Sequence, residues 1–523
     1  MTNTFLLISF ISMVAAAITM VLVRIIRPKF GYSWLLAASG AITAWLSLLP
    51  VGRNLPSKLN LIVWEPTELF SAPIVFMADQ VSWSYGLALA GLVLGVIFTD
   101  VLRAVEADWS AWAGSLMLGA LGLTAVFADN PVTLMLAWAA IDAAELMILL
   151  WHIPQSSIRE KVIVSFSSRV GGIFLLILAE IVARTGGNRL DFATIQGPVG
   201  NFLVLACALR LGVIPLHIPF LQEPPIRRSL GTTIRLVPVA SSLVLLTRTA
   251  SAATATSGNY ILLVLSVFAA LFGSISWALA KDELDGRPYW IISVVSIALF
   301  SALRGDGTAS LAWGIASILT GGLLFISSAR HRYLFPLTAL GLLGILPVPL
   351  TPGWAGIKLY APPYSVWLGA IVVTQSLLII GYIRHLAQPG EGLVGVERWV
   401  WVIYPAGLII ILAGYGVITW WGLTEGVLLT GLYLIPNIVA GILCIGFCGI
   451  WVYIYRRGFS IPDRMVELIR KVFSLGWLYR FLWEVFQTLR RLVNTLTFVL
   501  EGQGGILWAL VLLLLLLALL QQG

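Results

Sequence analysis

Runs of roughly 18 to 25 apolar residues follow one another along nearly the whole chain, the length that crosses a hydrocarbon core about 30 Å thick at about 1.5 Å per residue. In lipid no water is present to satisfy backbone N–H and C=O groups, so runs this long must be helices that close their own hydrogen bonds. A soluble shell is excluded by the charge supply: only 11% of the residues are charged, where a water-soluble domain carries about a quarter. A length of 523 residues would suggest several soluble domains, but no polar linker divides the runs. The chain reads as an all-α polytopic membrane bundle.

About sixteen spans are predicted, near 3–24, 33–51, 81–104, 110–127, 131–152, 158–184, 198–221, 230–251, 257–280, 288–304, 308–328, 332–358, 361–385, 398–419, 426–455 and 503–521. The first, Thr4 to Val23, is too long for a secretion signal, and its positive charges (Arg24, Arg27, Lys29) follow it instead of preceding it. The stretch from Val51 to Gln80 is the long break of the first half, and Leu59 to Trp64 with Ile74 to Met77 have the pattern of a small hairpin. With the N-terminus outside, the inner connections collect most basic residues, among them Arg24, Arg103, Arg159, Arg228, Arg287, Arg330, Arg384 and Arg456. The outer ones hold only Arg53, Lys58, Arg189 and Arg304, with Arg184 near a margin. A basic inner face beside anionic lipid accounts for the net charge of +8, and no nucleic-acid partner is implied. A multi-pass cell-membrane protein, in a prokaryotic plasma membrane, is expected. The tryptophans are read mainly as anchors at the membrane–water interface.

Residues 456–501 differ from the bundle (1–455) and from the last anchor helix (502–523). Arg464, Lys471, Arg480, Arg490 and Arg491 alternate with Val466, Ile469, Phe473, Phe481 and Val485 at three- and four-residue steps. That recurrence describes a helix with one greasy and one basic face, lying along the membrane surface on the inner side. Either it is a generic surface helix or it is a strap that contacts a neighbouring membrane subunit through residues 462–500.

Charged and polar residues inside the bilayer carry any mechanism, because each costs several kcal/mol unless paired, hydrated or useful. The candidates are Asp142 and Glu145 in the fifth span, Arg169 and Glu180 in the sixth, Arg210 and His217 in the seventh, Arg235 in the eighth and Lys358 at the end of the twelfth. Asp142 and Glu145 are three residues apart and share a helix face. Arg169 reaches a neighbouring carboxylate or the inner surface, and Glu180 is a hydrated margin residue. Prolines interrupt the same regions, Pro215, Pro219 and Pro238, then Pro347, Pro349 and Pro352. A broken helix at membrane depth is tolerated where it lines a hydrated, protein-enclosed cavity. Cys207, Cys444 and Cys448 sit in apolar runs with no further ligand to make a metal or iron–sulfur site, and no nucleotide fingerprint is present. No cofactor is expected, and any redox chemistry belongs to partner subunits.

The segment Arg210-Leu-Gly-Val-Ile-Pro-Leu-His217 resembles the Lys-Ser-Ala-Gln-x-Pro-Leu-His segment of the antiporter-like subunits of complex I, Mrp antiporters and membrane-bound hydrogenases. Arg210 stands where the family has its central lysine. Asn130 to Trp138 is similar to the family's fifth-helix entry, in which Trp is followed by the functional Glu; here Ala139 follows, and the carboxylates come one and two turns later. Asp282 to Ser293 resembles the Asp-x-Lys-Arg-x-x-Ala-Tyr-Ser segment, with Leu284 at the lysine position. Gly344-Ile-Leu-Pro-Val-Pro followed by Gly353-Trp-Ala-Gly-Ile-Lys358 resembles the twelfth-helix break, with Lys358 displaced by one position. The resemblance covers nearly the whole chain. It implies broken helices 7 and 12 in inverted repeats, a lateral helix, partner membrane subunits and a proton or cation path along a central polar axis.

The departures fall on that axis. The helix near 308–328 supplies imidazoles and a lysine in the family, whereas here Trp313-Gly-Ile-Ala-Ser317-Ile-Leu-Thr-Gly321 has no titratable group. Arg210 and Arg235 stay charged at every working pH, which a relay lysine does not. Three readings stay open. In a working path, Asp142 or Glu145 pairs with Arg210, and water with Ser317 and Thr320 bridges toward Lys358. In a structural subunit the fold is kept without transport. In the third, the chain partners an ion or bicarbonate transporter.

Overall fold

The computed structural model describes residues 2–62, 74–103, 109–152, 156–187, 190–192, 195, 197–214, 216, 228–253, 259–349, 351–390, 396–423, 434–456, 476–501 and 509–511. Helices follow the apolar runs: α1 (Thr2–Ile26), α2 (Ser33–Val51), α3 (Gln80–Thr99), α4 (Trp109–Val126), α5 (Pro131–His152) and α6 (Ser156–Thr185). The short α7 (Gly197–Leu211) precedes α8 (Arg228–Ala253), α9 (Asn259–Leu279), α10 (Glu283–Leu303) and α11 (Gly307–Ile326). The second half continues with α12 (Phe335–Leu340), α13 (Pro352–Gly356), α14 (Trp367–Leu386), α15 (Val400–Gly422), α16 (Leu434–Arg456) and α17 (Gly476–Glu501). Thirteen of these, among the described residues, are long and apolar enough to cross a membrane. The protein is therefore an all-α polytopic membrane bundle, as the block lengths predict. The predicted span at 503–521 lies almost wholly outside the described residues.

Between α2 and α3 the expected hairpin forms: β1 (Ser57–Ile62) pairs antiparallel with β2 (Ile74–Ala78), Ser57 opposite Ala78 and Asn60 opposite Val75. It marks one face of the bundle, here the hairpin face. Asp79 follows β2 and caps α3, accepting from the Ser82 N–H while the Ser82 hydroxyl accepts from the Asp79 N–H. Arg248, at the end of α8, also grips Asp79 (3.0 Å) and the Ala128 carbonyl. Burial works to raise the Asp79 carboxyl, but the Arg248 charge and the Ser82 hydrogen bonds outweigh it and hold it below its ordinary value.

Lipid-type exposure falls on the outer helices. Along α16, Ile435, Ile442, Ile445 and Ile450 are exposed, and α1 shows Ile11, Leu22 and Ile25. By contrast α8 and α11 each bury every residue of an 18-residue apolar stretch, so Arg235 of α8 and the hydroxyls at the middle of α11 meet protein on every side. The expectation that tryptophans anchor at an interface fails for five of them. Trp83, Trp138, Trp277, Trp290 and Trp313 are fully buried, and each indole N–H reaches a backbone carbonyl of another helical segment, Trp290 that of Ser317 and Trp313 that of Gly356. A buried indole is stable there because its one polar atom is satisfied.

Both predicted breaks are present in the described backbone. At α7 the helix stops at Leu211, and Gly212 takes the left-handed conformation (φ 72°). The Val213 N–H then reaches back to the Ala208 carbonyl and the Gly212 N–H to that of Leu209, the Schellman closure of a helix end. The predicted twelfth span, 332–358, is divided into α12 with a 3₁₀ turn (Gly341–Gly344), an irregular stretch, then α13 and a second 3₁₀ turn (Ile357–Tyr360). The carbonyls freed by the break find side chains: Thr320 donates to Gly341, Gln375 to Ile345 and Tyr382 to Thr338. Tyr360 holds Gln375 from the other side (2.8 Å). Irregular backbone at this depth survives because α11 and α14 enclose it and satisfy it.

α17 packs against α6. Phe481, Leu489 and Leu492 on one stripe remain exposed, as do Arg480, Glu484 and Arg491 on another. Residues 457–475, the first part of the predicted surface helix, lie outside the described residues.

Candidate functional site

Asp142 lies eleven residues into α5 from its hairpin-face end, about 16 Å down a helix and so near mid-depth. Its spacing from Glu145 turns both acids to the side of α5 that meets α6 and α7. Arg210, the penultimate residue of α7, donates from both terminal nitrogens to the two carboxylate oxygens of Asp142, at 2.6 and 2.8 Å. The guanidinium lies over the Trp138 ring, 4.3 Å from its centroid. Trp138, one turn before Asp142, therefore sets the plane in which the fork meets the carboxylate.

Arg169 of α6 pairs with Glu145 and stands 3.5 Å from the other oxygen of Asp142. All four side chains of this network are at most 4% exposed. Arg235 of α8 is buried beside them, and its charge acts on the Glu145 carboxylate. α6 and α7 approach closely here: a Cβ on Gly172 would sit 2.6 Å from Arg210 Cγ, so only glycine leaves room for the arginine stem. The Ser168 hydroxyl donates to the Leu209 carbonyl and ties the two helices together. An isolated charge at this depth costs about 2.5–3.5 kcal/mol on insertion scales, so the acids and arginines persist there by pairing.

Of the residues singled out in the sequence, Asp142, Glu145, Arg210 and Arg235 come together, and Arg169 joins them through the carboxylate contact foreseen as one of its two options. His217 lies outside the described residues. Ser317 and Thr320 form a separate polar patch on α11: the Ser317 hydroxyl is buried without a hydrogen-bond partner, while Thr320 bonds Gly341 and the Tyr415 hydroxyl. Lys358 is separate again. It stands in the 3₁₀ turn after α13 and lines a cavity of about 500 Å³ on the hairpin face, together with Arg304, Asp306, Thr308, Thr247 and Gln80. Glu180 accepts from Arg184 one turn on, near the end of α6, with its second carboxylate oxygen buried.

A second acid–arginine group lies on the opposite face and was not singled out in the sequence. Glu283, at the start of α10, accepts from Arg228 (2.7 Å) and stands 3.6 Å from Arg330. Arg287, wholly buried, donates to Thr232 and to the Arg228 carbonyl. In the sequence these residues look like an ordinary basic inner margin; the signal that could have found them is an acid lying among several arginines in connections that the topology brings to one face. Among the described residues no group of three His, Cys, Asp or Glu side chains is placed to hold a metal ion.

No family model and no curated protein matches the sequence. The fold does match solved structures. A chain of the membrane-bound sulfane sulfur reductase, an archaeal respiratory membrane complex, superimposes with a TM-score of 0.67 at 16% identity, over 98% of this chain and 99% of that one. A chain of the Mrp complex from Dietzia sp. DQ12-45-1b gives 0.66, also at 16% identity, over 99% of this chain and 63% of the longer Mrp chain. The protein thus shares its fold, nearly end to end, with membrane subunits of two multisubunit complexes, in agreement with the antiporter-like resemblance in its motifs.

Proposed function

We propose that this chain is an antiporter-like membrane subunit of a multisubunit redox or ion-transport complex, in which the Asp142–Glu145–Arg169–Arg210 network handles charge for proton or cation translocation. The carrying observation is the placement of two acids and two arginines at mid-depth, beside the Schellman-closed end of α7. Arginine keeps its proton at every working pH, so a proton can be held only on the acids. Asp142 is clamped by the Arg210 fork, whereas Glu145 has its direct pair in Arg169, which also stands within reach of Asp142, with Arg235 acting on it only through its charge. Movement of Arg169 toward Asp142 would leave Glu145 to take up a proton, and its return would expel it. Such an exchange converts a small side-chain shift into a change of protonation.

The fold neighbours, both chains of multisubunit complexes, support partner membrane subunits, and the exposed stripe of α17 is the surface we assign to one of them. The N-terminus and hairpin face are placed outside on the distribution of basic residues. A second reading, a structural subunit without transport, is favoured by two observations: α11 carries no titratable side chain, and the Arg210–Asp142 fork lies over Trp138. The test is proton flux in liposomes containing the natively purified complex. On the transport reading Glu145→Gln, which keeps shape and removes the charge, slows flux by about 10²-fold, the scale of losing a positioned proton-transfer group. Unchanged flux in Glu145→Gln and Asp142→Asn would leave only the structural role.

A further inference from the structure

The cavity on the hairpin face contains an acid that neither the motifs nor the network above uses. Asp306 precedes α11 and caps it, accepting from the Ala309 N–H at 2.9 Å. The backbone turns into this position through Gly305, left-handed at φ 79°. Two cations act on the carboxylate, Lys358 and Arg304. Arg304 is committed to backbone, donating to the carbonyls of Ala361 and Pro363. Lys358, a compact ammonium on a flexible stem, is the cation that can follow the acid's charge. Two other charged groups on this face, Asp79 of the α3 cap and Arg248 of α8, are bound to each other, and Arg53 lies over the Trp421 ring.

Behind Asp306, positions 310, 313 and 317 recur on the same face of α11 at helical spacing. Ser310 and Ser317 are fully buried there, and neither hydroxyl finds a hydrogen-bond partner. Trp313, between them, donates to the Gly356 carbonyl two residues before Lys358. Buried hydroxyls left unsatisfied by protein are the groups that recruit ordered water. From Asp306 to Ser317 this face runs about 16 Å into the bundle.

We propose that Asp306, with Lys358 as its charge partner, is the group through which protons exchange between the serine face of α11 and water on the hairpin face. This rests on the transport reading above. The carboxylate accepts an excess proton relayed through water at Ser310, which is left as neutral water, and becomes neutral; Lys358 loses its counter-charge; release of the proton to cavity water restores the carboxylate and the pair. Burial pushes the Asp306 carboxyl above its usual range, and the Ala309 hydrogen bond and the Lys358 charge offset only part of that rise.

Asparagine caps a helix about as well as aspartate, so Asp306→Asn removes the titrating group and keeps α11 in place. In liposomes containing the intact complex, under an imposed potential and with a pH-sensitive dye, Asp306→Asn should lower flux by about tenfold or more. It should also flatten the dependence on pH at the hairpin face, and formate, a small weak acid, should restore part of the rate. Wild-type flux in Asp306→Asn alongside a blocked Glu145→Gln overturns the role of Asp306 and leaves the transport reading standing. Wild-type flux in both removes the two together. A loss that formate does not relieve and that leaves the pH profile unmoved assigns the effect to the helix cap and overturns the proposal.

Discussion

Arg210 commits both terminal nitrogens to Asp142 and lays its plane over Trp138, while Arg169 divides its attention between two acids. The asymmetry leads to a prediction about single residues. Asp142→Leu strands the Arg210 guanidinium in a dry interior and should destabilise the protein by about 3–5 kcal/mol. Adding Arg210→Met should return much of that loss, because two apolar side chains of similar volume need no partner. Thermal unfolding of the detergent-solubilised protein measures both; a double variant no more stable than Asp142→Leu contradicts the picture. The residue scale is also where the sequence was least legible. The shared face of Asp142 and Glu145 follows from their spacing, but which arginine meets which acid depends on how α5, α6 and α7 pack. Asp306 reads in the sequence as an ordinary helix cap, and only the folded chain brings Lys358, more than fifty residues away, to the same cavity.

At the scale of elements, the divided twelfth span is held by closeness as much as by hydrogen bonds. A Cβ on Gly353 would lie 2.3 Å from the Leu346 carbonyl oxygen, so the two halves of the break touch backbone to backbone. Gly369, on α14, has nothing within 4 Å of its own hypothetical Cβ. Gly353→Ala should therefore push the halves apart and cost about 1–3 kcal/mol, the range for overpacking. Gly369→Ala should leave stability equal or raise it by up to about 1 kcal/mol through helix propensity. Equal melting temperatures for the two variants would refute the close contact. Elements were well signalled in the sequence where periodicity and run length act locally: the spans, the hairpin and the stop after Arg210, where Gly212 adds its own signal to Pro215. The break at 345–351 was signalled by its prolines, but its division into short α and 3₁₀ pieces depends on Gln375, Tyr382 and Thr320, which lie on other helices.

For the whole molecule, α17 lies against α6 and keeps an apolar stripe outward at Phe481, Leu489 and Leu492. If that stripe seats a partner subunit, Phe481→Lys with Leu489→Lys should release the chain from its complex on native gels without changing its own melting temperature. Retention of every companion protein would reassign the stripe to lipid. The amphipathic pattern made this helix legible in the sequence; its resting place on α6 of the same chain was not, because a surface helix carries no local mark of the direction in which it runs.

The complete enclosure of α8 bears on how the chain is made. During synthesis α8 leaves the ribosome after α3, α4 and α7 but before α10 and α11, the helices that later complete its wall, and it carries Arg235 into the bilayer. Asp142 and Glu145, by contrast, are already there on α5, translated ahead of all three arginines. Electrostatic attraction to acids that arrived earlier can draw each arginine-bearing helix out of the lipid as it emerges, so the order of residues along the chain doubles as an order of assembly.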